Sequence, residues 1–187
     1  MAQKRKDWNG LISGFKASDL VFLDESGCNT DMTRRYAYSL GGSRAVDSAP
    51  LSKPKNTTIL SSLQLDGTLR YTTFSGGTTV ERFKRYLETD LLPHLNGNSV
   101  LIMDNMKSHH AKAVKNLLDS SGVRYIYLPP YSPDLNPIEK LWSKVKSFLR
   151  KFKARTLDAL PNAIQNAFHS VTISDCSGWF RFCGYAL

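Results

Sequence analysis

The chain has 187 residues, 41% hydrophobic and 22% charged, proportions that suit one folded domain and exclude global disorder. Lys and Arg number 25 against 16 Asp and Glu, a formal charge of +9 that favours a polyanionic partner, nucleic acid before acidic lipid. No apolar run approaches the roughly 20 residues of a membrane span, the basic N-terminus lacks the apolar stretch of a signal peptide, and three cysteines without a Cys-x-x-Cys pair form no disulfide framework.

In chain order, residues 20–26 read as a buried strand, the apolar run Leu20-Val21-Phe22-Leu23 closed by Asp24. Residues 34–50 suggest only irregular or short-strand segments. Thr57–Leu65 and Leu69–Phe74 are β-branched and aromatic runs separated by Asp66-Gly67, a strong hairpin signal, and with the first strand they predict an antiparallel meander. Thr78 and Glu81 form a capping box for a helix with Val80, Phe83, Leu87 and Leu91 inward and Pro93 at its end. A strand follows at 99–104. Ser108 is placed to cap a second helix, with Ala113, Val114, Leu117 and Leu118 on its buried face and Gly122 past its end. Val123–Leu128 reads as a strand ended by a proline-rich loop. From Asn136 a long helix sets Ile138, Leu141, Trp142, Val145, Phe148, Leu149 and Phe152 at helical spacing, read as core packing. A last helix near 158–170 has Pro161 in its first turn. This order predicts an α/β fold with one mixed five-stranded sheet, an antiparallel meander plus two parallel crossover strands, flanked by helices. A single domain would span 1–187, with its core at about 18–155 and a C-terminal helix and tail over 156–187.

Ligand sites in open α/β sheets gather at the carboxyl ends of strands. Asp24 and Asp104 stand at that end of two apolar runs and converge if those strands are parallel neighbours, while Glu139 opens the long helix. Two strand-end carboxylates and a third on a nearby helix can hold hard cations, Mg2+ with Mn2+ as substitute, against a phosphodiester. Each has a structural alternative. Asp24 can be a strand-end turn residue, with Glu25, on the opposite face, as ligand instead. Asp104 can make an Asx-turn unless Asn105 takes that task. Glu139 can complete a capping box with Asn136 and Pro137. Asp134 is an alternative third acid or a turn residue. A zinc site from His169, Cys176 and Cys183 fits no common ligand spacing.

Residues 140–157 hold seven cations and no acid, which suits contact with a phosphate backbone. The DNA-contact candidates are Lys140, Lys144, Arg150 and Lys151 there, with Lys107 and His109 beside Asp104, where His109 can instead support a ligand from behind. The alternative is a solvated helix face. His110 diverges from His109 on a helix, so the two do not make a metal pair.

Leu23-Asp24-Glu25-Ser26-Gly27, Met103-Asp104-Asn105 and Leu128-Pro129-Pro130-Tyr131-Ser132-Pro133-Asp134-Leu135-Asn136-Pro137-Ile138-Glu139 together resemble the catalytic domain of DDE transposases, in particular those of mariner-related bacterial insertion sequences. The 34 residues between Asp104 and Glu139 are the separation that group uses. The resemblance covers about residues 18–185, and the proline-rich block is its most specific part. It implies a ribonuclease H-like fold and Asp24, Asp104 and Glu139 as catalytic residues and ligands of two Mg2+ ions, Asp24 bridging them. It also implies cleavage and joining of DNA in cut-and-paste transposition, with water as nucleophile for nicking and a 3′-hydroxyl for strand transfer. The implied partners are double-stranded DNA (transposon ends and target), a second copy of the chain, and a separate or frameshift-fused N-terminal helix-turn-helix chain, because residues 1–19 leave no room for such a module. The implied setting is cytoplasmic and nucleoid-associated. Two rival readings stand beside it: another ribonuclease H-like nuclease without strand transfer, and a non-catalytic remnant that binds DNA or a partner. A haloacid-type phosphohydrolase is set aside, because its Asp-x-Asp pattern requires an acid where Ser26 stands.

Overall fold

The two apolar runs that end in aspartate become neighbouring strands. The computed structural model describes residues 2–34, 36–51 and 54–187. In it β1 (Leu20–Cys28) lies between β2 (Thr57–Gln64) and β4 (Val100–Met103), and β3 (Leu69–Ser75) and β5 (Arg124–Tyr127) complete a sheet ordered β3-β2-β1-β4-β5. The first three strands pair antiparallel, whereas β1 with β4 and β4 with β5 are parallel. This is the expected meander joined to two crossover strands. The hairpin turns where Asp66-Gly67 places it: the Asp66 carboxylate accepts from Thr68 N at 2.8 Å, and Gly67 takes φ +87°, a conformation that suits glycine.

The sheet is buried on both faces, which is why its central strands are apolar without interruption. Leu20, Phe22, Val100 and Ile102 pack on one side under α1 (Ala2–Ile12), α4 (Ile138–Phe152), α5 (Ala159–His169) and α6 (Ile173–Phe182). Val21, Leu23, Leu101 and Met103 pack on the other under α2 (Val80–Tyr86) and α3 (Lys112–Ser121). On α4 the stripe Ile138, Leu141, Trp142, Val145 and Leu149 is buried as expected, while Phe152 at its end is exposed. Segment 34–51 has no regular structure among its described residues and exposes Tyr36, Tyr38, Leu40, Val46 and Leu51.

Several local expectations are corrected. Thr79, not Thr78, caps α2 by accepting from Arg82 N. That helix does not run unbroken to Pro93. It passes through a π-helical turn at Leu87–Leu91 and a 3-10 turn at Leu92–His94, which still bury Leu87 and Leu91. Ser108 does not cap α3. The helix starts after Ala111 with no side-chain cap, Ala113 is exposed, and Ala111 packs on the core instead. Two helices were not anticipated. α1 is hidden by its charges, yet it sends Trp8 into the core. α6 is interrupted in pattern by Gly178, although Thr172 and Asp175 form a full capping box at its start.

Phe180 of α6 is fully buried and meets Phe22 of β1 edge-on, ring centroids 5.3 Å apart. Phe180→Ala is expected to cost about 3–5 kcal/mol in urea unfolding. A loss below about 1 kcal/mol would mean that α6 is not part of the cooperative core.

Candidate active site

Strand alternation sends Leu20, Phe22 and Asp24 toward α4 and Val21, Leu23 and Glu25 toward the opposite face. The β1–β4 register pairs Leu23 with Met103, so Asp24 and Asp104 follow one step later at the carboxyl ends of adjacent parallel strands. Glu139 lies in the first turn of α4. These three carboxylates line one cleft of about 450 Å3, walled by Asn105, Met106, Asn136 and the loop from Leu128 to Pro133. Asn105 donates to the Leu128 carbonyl and Tyr185 donates to the Leu135 carbonyl at 2.6 Å, which fixes the loop at both ends.

Asp24 is 8% exposed. One carboxylate oxygen accepts from Glu25 N at 2.8 Å, the other from Trp142 Nε1 at 3.2 Å and Asn136 Nδ2 at 3.5 Å. Burial pushes its pKa up to about 7. The Glu25 amide opposes this, and the negative charges of Glu25, Asp104 and Glu139 add to it. Of the two neighbours, Asp24 lines the cleft and Glu25 points away from it, toward His109. Trp142 and Asn136 are site residues that the sequence reading missed. One was read as core packing and the other as a helix cap.

Asp104 does make the Asx-turn: its Oδ1 accepts from Met106 N at 2.9 Å, while Asn105 is occupied with Leu128. The same Oδ1 lies 2.9 Å from His109 Nδ1, and His109 Nε2 lies 3.2 Å from Glu25 Oε1. Partial burial raises the Asp104 carboxyl, but the hydrogen bonds from His109 and Met106 N outweigh it and hold the carboxyl below its usual range. For His109, burial opposes the charge, yet the hydrogen bonds to Asp104 and Glu25 carry its pKa up to about 10. Of the two roles open to His109, phosphate contact or support of a neighbouring acid, the geometry agrees with the second. His109 is fully buried with both ring nitrogens occupied, so it cannot reach a phosphate. Lys107 beside it is exposed.

Glu139 has no part in a capping box. Pro137 precedes the helix without a side-chain cap, and the Asn136 amide is turned to Asp24 instead. The Glu139 carboxylate therefore remains exposed to the cleft. Asp134 is not a third acid here, because Arg5 of α1 binds both of its oxygens. Among the described residues no three His, Cys, Asp or Glu side chains are grouped closely enough to hold a metal ion by themselves, so the expected cage is not closed. The donor set nevertheless fits a hard divalent cation: three carboxylates, all oxygen, on a cleft open to the water and substrate oxygens that such ions keep in their shell.

The cations of α4 divide between two faces. Lys144 pairs with Asp175, and the Lys140 ammonium sits 3.7 Å from the Phe182 ring centroid, both toward α6. Lys153 pairs with Asp47, and Arg155 donates to the carbonyls of Thr30 and Met32. Lys146 and Arg150 stand seven and eleven residues after Glu139, hence on its stripe of the helix. They line a groove with Gly27, Cys28, Asn29, Asp31, Pro50 and neighbouring residues. The expectation that Lys140 and Lys144 contact DNA is weakened by these partners. Lys146, one of the seven cations but not among the named contact candidates, lines this groove with Arg150.

The raised pKa of Asp24 sets a pH signature for the metal-free protein. A carboxyl that holds its proton more tightly when folded stabilises the fold at low pH, and that contribution falls as pH rises from about 4 to about 7. His109 adds a loss of the same sign above about pH 6.5, so the Asp24 effect is read as a difference. Asp24→Asn is expected to melt close to wild type near pH 4 and on the order of 5–10 °C higher near pH 8, in chelator. Parallel melting curves at both pH values would show that Asp24 is not strained by its charge.

Residues 19–161 match the family model described as DDE superfamily endonuclease. The Tc1 transposase of Caenorhabditis elegans is 29% identical over 97 residues, 50% of this chain and 36% of that protein. The Tcb2 transposase of Caenorhabditis briggsae is 31% identical over 75 residues, 40% of this chain and 28% of that protein. The chain thus spans about a third of the length of these curated relatives. Among solved structures, a pre-cleavage Mos1 transpososome matches with a TM-score of 0.82 at 18% identity, covering 97% of this chain and 58% of that one. The catalytic domain of Mos1 mariner transposase matches with a TM-score of 0.73 at 16% identity, covering 96% and 85%. The structural likeness shows a shared fold, the ribonuclease H-like mixed sheet, and the family model spans the strands and helices that carry all three acids. The chain therefore belongs to the DDE superfamily endonucleases.

Proposed function

We propose that the chain carries out metal-dependent cleavage and strand transfer of DNA in cut-and-paste transposition of an insertion sequence. The observation that carries this reading is the convergence of Asp24, Asp104 and Glu139 on one cleft from β1, β4 and α4. Mos1 structures similar to this chain include paired-end complexes with Mn and with Mg, which supports a divalent ion as cofactor. Asp24, Asp104 and Glu139 would hold two such ions, which supply activation of the attacking oxygen and stabilisation of the leaving one in an in-line displacement. Trp142 and Asn136 keep the Asp24 carboxylate on the cleft side. The loop from Leu128 to Pro133 walls the space where a phosphodiester would enter, and Asn105 holds that loop to the turn bearing Asp104. Water serves as nucleophile for nicking and a DNA 3′-hydroxyl for joining.

The partners proposed are duplex DNA, a second copy of the chain pairing two ends, and a helix-turn-helix module for end recognition, on the same chain or a separate one. Lys107, Lys146, Arg150 and Lys151 would bear on the phosphates, since among the described residues none of the four makes an ion pair.

Glu139→Gln removes one carboxylate charge at constant size. It is expected to lower Mg2+-dependent nicking of duplex DNA on the order of 100-fold or more without changing DNA binding. Unchanged nicking would remove Glu139 from the site. Wild-type binding with no nicking, even with an end-recognition module supplied, would favour a binding remnant. Replacing Lys146 and Arg150 together with Ala should reduce the slope of log affinity against log salt by about 2, whereas Lys144→Ala should leave it nearly unchanged. The reverse pattern would move the DNA path to the α6 side of α4.

A further inference from the structure

Glu25 and His109 place two ionisable groups in the apolar layer between the sheet and α2, on the face opposite the cleft. The His109 ring is fully buried and stacks on Phe83, centroids 4.2 Å apart at 27°. The Glu25 side chain is 6% exposed, and its Oε2 is buried with no hydrogen-bond partner. Packing alone does not account for this arrangement, because an apolar pair of similar volume would avoid the cost of desolvating charge. Nor does either group touch the cleft.

The contacts do connect to it. His109 Nδ1 lies 2.9 Å from Asp104 Oδ1 and 3.3 Å from the Asp104 carbonyl, and Nε2 lies 3.2 Å from Glu25 Oε1. Both ring nitrogens thus face oxygens that only accept, so the ring is held in one orientation as a double donor. A second tie acts on the backbone, where Tyr127 Oη donates to the His109 carbonyl at 2.9 Å. Met106 N and His109 Nδ1 both end on Asp104 Oδ1. Among the described residues no hydrogen bond ends on Oδ2, which leaves that oxygen to the cleft.

Resting on the proposed metal-dependent reading of the cleft, we infer that Glu25 and His109 are a buried positioning pair that fixes the Asp104 carboxylate so that Oδ2 is presented to a divalent ion. Consecutive residues of one strand then serve one site from its two faces: Asp24 as a ligand, and Glu25 through His109 as the support of the other strand-end ligand. Ligating carboxylates and imidazoles depend on such outer hydrogen bonds for orientation, and losing them weakens metal binding. His109 is a positioning residue in this account, since it touches neither substrate nor ion.

The test is Mn2+ binding by the full chain, read by electron paramagnetic resonance of free Mn2+ and by isothermal titration calorimetry without DNA. Metal-free melting and circular dichroism report the fold in parallel. Asp104→Asn identifies the Mn2+ ion that depends on Asp104. His109→Phe keeps a ring on Phe83 but donates nothing, and Glu25→Gln keeps size while removing the charge that orients the imidazole. Both are expected to weaken that ion about 10–100-fold while remaining folded. His109→Asn, whose amide can still donate to Asp104, should recover part of the loss. Should His109→Phe fail to fold, Glu25→Gln decides. Wild-type Mn2+ affinity in folded His109→Phe or Glu25→Gln, with affinity lost in Asp104→Asn, would overturn the positioning role alone. No change even in Asp104→Asn would overturn the metal reading of the cleft and the positioning role with it.

Discussion

The parallel pairing of β1 with β4 is the constraint on which the site depends. Leu23 opposite Met103 brings Asp24 and Asp104 out at the same end of the sheet, and burial on both faces makes a slip of that register costly. A shift of one residue would turn Val21 and Leu23 out of one core and Phe22 out of the other. The apolar runs before each aspartate therefore do more than form strands. They fix which way the acids point, and α4, packed through Leu141, Trp142 and Val145, brings Glu139 to the same opening.

Alternation along β1 has a second effect. It separates two adjacent carboxylates, Asp24 and Glu25, by the thickness of the sheet, and gives each a different partner set. Asp24 is held by the Trp142 indole and the Asn136 amide from α4 and the loop before it, in surroundings that penalise its charge. Glu25 is matched by His109, which in turn holds Asp104. The cleft thus draws support from both layers of the fold, and the exposed Glu139 faces it with no ion pair among the described residues, where a divalent cation would bring balance.

Much of this was legible in the residues, because strand ends and hairpins are local. Asp24 and Asp104 each close an unbroken apolar run, Asp66-Gly67 marks its turn, and the order of elements leaves few topologies. What was not legible depends on partners remote in the chain. Glu25 and His109 are 84 residues apart, and nothing local to either announces the other. Trp142 sits at a helical core position and fills it, so periodicity accounts for the ring and is silent about its N–H. The Asn136-Glu139 capping box failed for a related reason: the Asn136 amide is drawn to a buried carboxylate 112 residues away, which overrides the local preference. Charge counting along 140–155 likewise could not see that Asp175 and Asp47 would take up two of those lysines.

The central claim is that side chains 24, 104 and 139 share divalent ions. Anomalous diffraction at the manganese edge from crystals of the wild-type chain soaked in Mn2+ examines it most directly. The account predicts density in the cleft at about 2.0–2.2 Å, a hard-cation distance, from oxygens of Asp24, Asp104 and Glu139, with Asp104 ligating through Oδ2. Ions held elsewhere, or density that any one of the three carboxylates fails to reach, would contradict it.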